Sequence, residues 1–192
     1  MSVTVLIPVK SLATAKGRLA EVLAPPERQA LVALMLAKVV AAVRAAPGVD
    51  AVNLISPEEW PALGVRTLKD TAGELNAALE AGVAGLDLQA EDIILILSGD
   101  LPWLQPPDVE AMVEAARSGA LAVARDLAGA GTNGLAFRRD RKPRFAFGLE
   151  SCARHRDEAA ALGVPCTVLD RPGLAFDVDD AKALARMTAR SD

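Results

Sequence analysis

Ile93-Ile94-Leu95-Ile96-Leu97, framed by Glu91-Asp92 before it and Ser98-Gly99-Asp100 after it, is the most hydrophobic run of the chain. An unbroken aliphatic run without polar alternation is what a strand buried on both faces requires, and such strands belong to parallel sheets covered by helices. It predicts the central strand. Working outward, residues 3–7, stopped by Pro8, read as a second strand of this kind, with 51–56 another and 65–68 a short one. Residues 121–124, 132–137 and 165–169 are further extended segments. Helical patterns fill the intervals. Pro25-Pro26 opens the first, since proline fits a first turn where no N–H partner is needed, and Leu31, Leu34, Met35, Val39, Ala42 and Val43 give it an apolar stripe ended by Pro47-Gly48. Leu75, Ala78, Leu79 and Val83 mark a helix after Thr71, Pro106-Pro107 opens another, and 150–162 is helical. A last helix over 179–189 starts on aspartate, which complements the helix dipole. Strand–helix alternation of this kind predicts an α/β protein, a three-layer α/β/α sandwich around a mostly parallel sheet.

Composition narrows the function. The chain has 192 residues, 52% hydrophobic, 24% charged and 3% aromatic, which suits one domain over residues 1–192 and excludes a disordered chain. Lys+Arg 21 against Asp+Glu 25 gives a net charge of −4, against nucleic-acid binding by bulk positive charge. Cys152 and Cys166 are too few for a disulfide scaffold or a four-thiolate zinc site, and point to the cytoplasm. The N-terminus lacks a basic leader region, and the oily stretch 30–46 is interrupted by Lys38 and Arg44, so no membrane association is expected.

In parallel α/β sheets ligands gather at the carboxyl ends of the strands, and the polar residues there carry the candidate chemistry. After the first strand come Lys10, Lys16, Gly17 and Arg18: cations and approachable backbone suited to a polyphosphate, although a solvated basic turn would look similar and no P-loop pattern is present. Asp100, directly after the central strand, suits a metal ligand or a turn cap. Phe176-Asp177-Val178-Asp179-Asp180 is a second carboxylate cluster. Asp179 or Asp180 there can be explained as the cap of the last helix; Asp177 is less easily dismissed, and it could converge with Asp100 on Mg²⁺ despite their separation in sequence. Gly129-Ala130-Gly131-Thr132-Asn133-Gly134 reads as a glycine-rich turn or an anion site. In Phe147-Gly148-Leu149-Glu150-Ser151 a hydroxyl, a permissive glycine and a new helix N-terminus could make an anion seat or a serine cap. His155, the sole histidine, has no partners for zinc and is expected on a helix surface. Cys152 is expected to pack rather than react.

Taken in order, these stretches resemble the phosphoenolpyruvate and 2-phospho-L-lactate guanylyltransferases of coenzyme F-420 biosynthesis. The resemblance rests on Pro8-Val9-Lys10 with Ala15-Lys16-Gly17-Arg18-Leu19, Asp100-Leu101-Pro102, Gly131-Thr132-Asn133-Gly134-Leu135, Phe147-Gly148 with Ser151 and His155, and Asp177-Val178-Asp179. It implies a Rossmann-like fold akin to nucleotide-diphospho-sugar transferases. The implied reaction joins GTP to a small phosphorylated three-carbon acid and releases pyrophosphate. By the same resemblance Asp100 and Asp177 hold Mg²⁺, and Thr132, Gly148 and Ser151 seat the acid. Lys10, Lys16 and Arg18 face the triphosphate, making them catalytic with the two aspartates, and Asn76 lies near the nucleoside. Members of the family are often dimers, which leaves a homodimer as an option. Leu149-Glu150 and Arg125-Asp126 depart from the family's usual residues, and both bear on which acid is accepted: phosphoenolpyruvate, 2-phospho-L-lactate or 3-phosphoglycerate.

The chemistry is self-consistent. A phosphate nucleophile is ionised near neutral pH, so no histidine or cysteine base is needed. What must be overcome is repulsion between two polyanions. Two rival readings remain. Asp177-Val178-Asp179 is also the DxD pattern of metal-dependent glycosyltransferases, and a non-catalytic nucleotide sensor could use the same fold. The first leaves the Lys10–Arg18 loop unexplained, and the second does not need metal-type carboxylates and triphosphate-type cations together.

Overall fold

The computed structural model describes residues 1–189. Ile93–Leu97 is the middle strand (β4) of a seven-stranded sheet whose other members are β1 (Val3–Pro8), β2 (Ala51–Ser56), β3 (Arg66–Lys69), β5 (Leu121–Arg125), β6 (Thr132–Arg138) and β7 (Cys166–Leu169), in the spatial order β3-β2-β1-β4-β6-β5-β7. Neighbours run parallel except around β6, which is antiparallel to both β4 and β5. The mostly parallel sheet expected from the sequence is therefore present, with one reversed strand that strand-like residues alone do not reveal.

Alternation along β4 divides the core. Ile93, Leu95 and Leu97 pack with Val32, Leu36, Val39 and Val43 of α1 (Pro25–Ala45) and with Val109, Met112 and Val113 of α3 (Pro106–Arg117). Ile94 and Ile96 pack on the opposite face with Leu79 and Val83 of α2 (Leu75–Ala84) and with Cys152 and Ala159 of α4 (Ser151–Ala161). Successive side chains of a strand point to opposite faces, so a run that is apolar at every position needs a helical layer on each side. That is the three-layer sandwich. A third cluster of Leu19, Leu31, Met35, Phe176, Val178 and Met187 joins α1 to the short α5 (Pro172–Ala175) and α6 (Ala181–Ala189) region.

Helix starts follow their local chemistry. Pro25 and Pro26 open α1, and Glu27 reaches back to accept from the Ala24 N–H at 2.7 Å. Glu74 caps α2 by accepting from Asn76 N and Ala77 N. Asp180 accepts from Ala183 N at 2.8 Å, so the last helix begins at Ala181 rather than at residue 179. Leu34, expected in the apolar stripe of α1, is 51% exposed. The step from Leu31 carries it past the buried arc, and Val32, Leu36 and Val40 complete that arc instead. Among the described residues no helix is long and apolar enough to cross a membrane.

Close packing at β6 gives a direct test. A Cβ on Gly134 would sit 3.1 Å from Ala124 Cβ and Leu97 Cδ2, and 3.3 Å from Met112 Cε. Gly134→Ala is expected to destabilise by about 1–3 kcal/mol through overpacking, measured as a lowered urea midpoint at unchanged slope.

Candidate active site

The reversed strand explains how distant segments meet. Because β6 is antiparallel, its first residues lie beside the carboxyl end of β4: Leu97 pairs with Gly134, and Ser98 N donates to Asn133 O at 2.8 Å. Thr132 and Asn133 thereby join the edge where Lys10 follows β1 and Asp100 follows β4. Alternation sends the two side chains apart. Thr132 reaches His155 of α4, while Asn133 turns to the α5 segment, its Nδ2 lying 3.1 Å from both Leu174 O and Ala175 O and 3.3 Å from Asp177 Oδ1.

Asp100, Asp177 and Asp179 form a carboxylate cluster, each offering one ligand oxygen within 4.8 Å of the others. The two aspartates read from the sequence as metal ligands thus come together, and Asp179 joins them. In an extended backbone residues i and i+2 share a side. Accordingly Asp177 and Asp179 flank Val178, which is buried in the third apolar cluster. The DxD spacing is the sequence signal for Asp179, and its reading as a helix cap gives way to Asp180. A stack holds the two segments in register: the Trp103 ring, three residues after Asp100, lies 3.7 Å from that of Phe176, 13° from parallel. Arg186 covers both rings at 5.3 Å.

Electrostatics distinguish the three acids. Burial, with Asp100 and Asp179 adding like charge, pushes Asp177 up to about 6. Asp179 also feels burial, but Lys16 above all, then Arg18 and Lys10, hold it below the usual carboxylate range. Asp100 Oδ1 is buried with no hydrogen-bond partner. Hard oxygen donors crowded at one point, one of them orphaned and another raised in pKa by burial and by its neighbours, fit a divalent cation of the Mg²⁺ type.

Lys16 supplies the compensating charge. Its Nζ contacts Asp100 Oδ2 and lies 2.9 Å from Asp179 Oδ1. Burial works against its charge, but the two aspartates outweigh it and its pKa is raised. The residue adopts a left-handed backbone, φ 53°, a conformation that L side chains rarely take. Glu58, after β2, anchors the loop by accepting from Ser11 Oγ at 2.7 Å and from Leu12 N at 3.1 Å. Arg18 is 80% exposed and reaches Asp179 at 3.8 Å, and Lys10 is exposed. All three cations therefore act on Asp179, with Arg18 and Lys10 projecting to solvent.

Gly148 and Ser151 meet at the start of α4, and Thr132 reaches the same helix one turn further on, at His155. Gly148 has φ +119°, a conformation that favours glycine, and its carbonyl accepts from Ser151 N at 3.2 Å. Cys152 N donates to Ala130 O at 3.0 Å. The first two N–H groups of α4 are thus already engaged, so an anion seat here relies on side chains and on the loop rather than on an open helix end. Glu150 takes φ 54° and is exposed. Asn76 is engaged with the backbone of this loop: Oδ1 accepts from Phe147 N at 2.9 Å and Nδ2 donates to Phe147 O at 3.2 Å. Its amide holds Phe147, immediately before Gly148, with Nδ2 also 3.4 Å from Glu74 Oε1.

His155 corrects the sequence-based expectation. It is fully buried, not on a surface, with Nδ1 3.0 Å from Thr132 Oγ1 and Nε2 accepting from Ala146 N at 3.2 Å. Burial pulls its pKa down to about 4. A single histidine in a polar stretch carries no signal of this position, which depends on the antiparallel entry of β6. Cys152 is buried and unpaired in a disulfide, and burial pushes its thiol up, as expected of a packing residue.

Comparison with known proteins agrees with this architecture. The family profile described as "CofC: Guanylyl transferase CofC like" matches residues 3–190. The chain is 40% identical over 195 residues to a phosphoenolpyruvate guanylyltransferase of Rubrobacter xylanophilus, covering 98% of this chain and 95% of that protein. It is 38% identical over 187 residues to a 3-phospho-D-glycerate guanylyltransferase of Phenylobacterium zucineum, covering 90% and 84%. Among solved structures, 2-C-methyl-D-erythritol 4-phosphate cytidylyltransferase from Thermus thermophilus superposes with a TM-score of 0.63 at 20% identity, over 100% of this chain and 99% of that one. That last likeness shows the nucleotidyltransferase fold. Near-complete coverage by the family profile, and relatives well above 30% identity, place the chain in the CofC-like guanylyl transferase family.

Proposed function

We propose that this chain joins GTP to phosphoenolpyruvate, giving enolpyruvoyl-2-diphospho-5'-guanosine and pyrophosphate, a step of coenzyme F-420 biosynthesis, within one nucleotidyltransferase domain over residues 1–192. An oxygen of the acid's phosphate attacks the α-phosphorus of GTP. The new P–O–P bond forms as the bond to the β-phosphate's bridging oxygen breaks, and the leaving electron pair departs with pyrophosphate. The nucleophile is already ionised, so no protein base is required. The reading rests on one observation: the carboxylate cluster, bridged by Lys16, adjoins Asn133, whose neighbour Thr132 bonds His155 of the helix that begins at Ser151.

In this reading Asp100 and Asp177, with Asp179 beside them, hold Mg²⁺, which neutralises phosphate oxygens and makes the α-phosphorus more electrophilic. Lys10, Lys16 and Arg18 neutralise the triphosphate. Thr132, Gly148 and Ser151 orient the acid, so that much of the acceleration comes from positioning two anions that repel in water. Asn76 acts on the seat by fixing Phe147, and its place near the nucleoside stays part of the proposal only through that loop.

A second acceptor is favoured by one observation, the 3-phospho-D-glycerate guanylyltransferase relative. Incubation of the protein with GTP, Mg²⁺ and phosphoenolpyruvate, 3-phosphoglycerate or 2-phospho-L-lactate, with pyrophosphate measured in each arm, separates them. Fastest release with phosphoenolpyruvate is expected. No release with any acid overturns the proposed reaction, and transfer from a nucleotide-sugar alone would favour the DxD glycosyltransferase alternative.

A further inference from the structure

His155 is held by two hydrogen bonds whose directions are not interchangeable. Ala146 N–H can only donate, so Nε2, at 3.2 Å, must present its lone pair. In a neutral imidazole the proton then resides on Nδ1 and donates to Thr132 Oγ1 at 3.0 Å. The ring is fully buried, packed edge-on against Phe147 with centroids 4.8 Å apart. An imidazolium would aim a second N–H at the Ala146 N–H, so the contact itself selects the neutral form. Burial alone lowers the pKa to about 4, in the same direction.

The consequence falls on the hydroxyl. Thr132 Oγ1 accepts from the imidazole, and its own hydrogen is left to donate away from the ring. Residue 132 is half-buried at the mouth of the sheet, where an anionic oxygen of the acid would sit. We propose that His155 is a positioning residue: as a neutral Nδ1–H tautomer fixed by Ala146, it turns the Thr132 hydroxyl proton outward onto an anionic oxygen of the phosphorylated acid. This rests on the reading of Thr132 as part of the acid seat. It gives the sole histidine a binding task without proton transfer. The same ring ties β6 to the loop carrying Gly148, so the two halves of the seat are aligned by one side chain.

Kinetics of His155→Gln, His155→Asn, Thr132→Val and the Thr132→Val/His155→Gln double variant test it. Glutamine can keep an acceptor near the Nε2 position but not the donor to Thr132, whereas asparagine can keep the donor near Nδ1. His155→Gln is expected to raise KM for the acid by about tenfold or more, the scale of a lost hydrogen bond to a charged group, with KM for GTP within about twofold. His155→Asn, which keeps that donor but loses the acceptor for Ala146, should raise the acid KM less than His155→Gln does, and the double variant should match Thr132→Val alone. A parallel rise in both KM values, or losses that multiply in the double variant, overturns the positioning role. An unchanged acid KM in Thr132→Val would instead remove Thr132 from the seat, a distinct failure. Nitrogen NMR of the unmodified protein, with one histidine to assign, adds a measurement independent of folding in variants. Nδ1–H is expected at neutral pH, and Nε2–H overturns the proposal.

Discussion

Asp177→Asn is expected to lower kcat by about 10³-fold or more while making the metal-free protein more stable. The two effects share one cause. The Asp177 carboxyl, pushed up to about 6 by burial and by Asp100 and Asp179, is held where its charge is useful to a cation and costly without one. Its folded pKa lies above the unfolded value, so the cost is absent in acid and sets in as pH rises from about 4 through about 6. At neutral pH, without metal, a neutral amide should recover about 1–2 kcal/mol, a figure discounted for partial exposure. The amide oxygen of the variant can still accept the bond from Asn133. His155 has the opposite linkage. Its folded pKa of about 4 lies below the ordinary histidine value, so its contribution to stability grows as pH rises from about 4 to 6.5. In the unaltered protein the two slopes oppose each other, whereas Asp177→Asn should expose the histidine slope, with stability rising over that interval. Urea midpoints in chelator at about pH 4.5 and about pH 6.5, beside pyrophosphate-release assays, provide the check. Near-normal turnover removes Asp177 from the metal site, and a loss of stability at neutral pH refutes the crowded-carboxylate account.

Lys16→Met is expected to lower kcat by about 10²–10³-fold, the scale of losing one fixed group that stabilises developing charge, while strengthening binding of Mg²⁺ to the nucleotide-free protein. The Lys16 ammonium bridges Asp100 and Asp179, two of the acids that a cation would use. In the proposed reaction it would therefore compete with metal in the resting protein and be freed to meet phosphate once GTP binds. Methionine keeps much of the stem's packing and removes the charge. The metal-free variant should be less stable at neutral pH, because Asp100 and Asp179 lose their nearest counter-charge. Calorimetric titration of Mg²⁺ into both proteins tests the competition. Equal or weaker binding by the variant would show that Lys16 does not occupy the cation's place.

Both predictions depend on residues whose types are readable along the chain but whose meeting is not. Lys10, Lys16, Arg18, Asp100 and Asp177 are recognisable because each follows a strongly apolar or turn-bounded run, and ligands gather at such ends. Asp179 is ambiguous in sequence because an aspartate before a helix is also a good cap, and only the Asp180–Ala183 bond settles which residue has that task. The buried place of His155 is hidden because a polar helix with one histidine gives no sign of which face turns inward. Trp103 and Phe176 are far apart in sequence, so their stack, which braces both carboxylate segments, has no local signature.

The layering is legible in the residues alone: an aliphatic run such as residues 93–97 must be covered on both faces, and Pro-opened helices between such runs supply the cover. Hydrophobic periodicity is a local property, and it dictates local structure and burial. The direction of β6 belongs to the tertiary structure alone, because a strand's residues look the same whichever way it enters a sheet. That reversal brings Thr132 and Asn133 to the edge that carries the carboxylates, joins Asn133 to Asp177, and puts His155 behind the Thr132 hydroxyl. Contacts between residues so distant in sequence follow from chain topology, and topology decides which charges share a few ångströms.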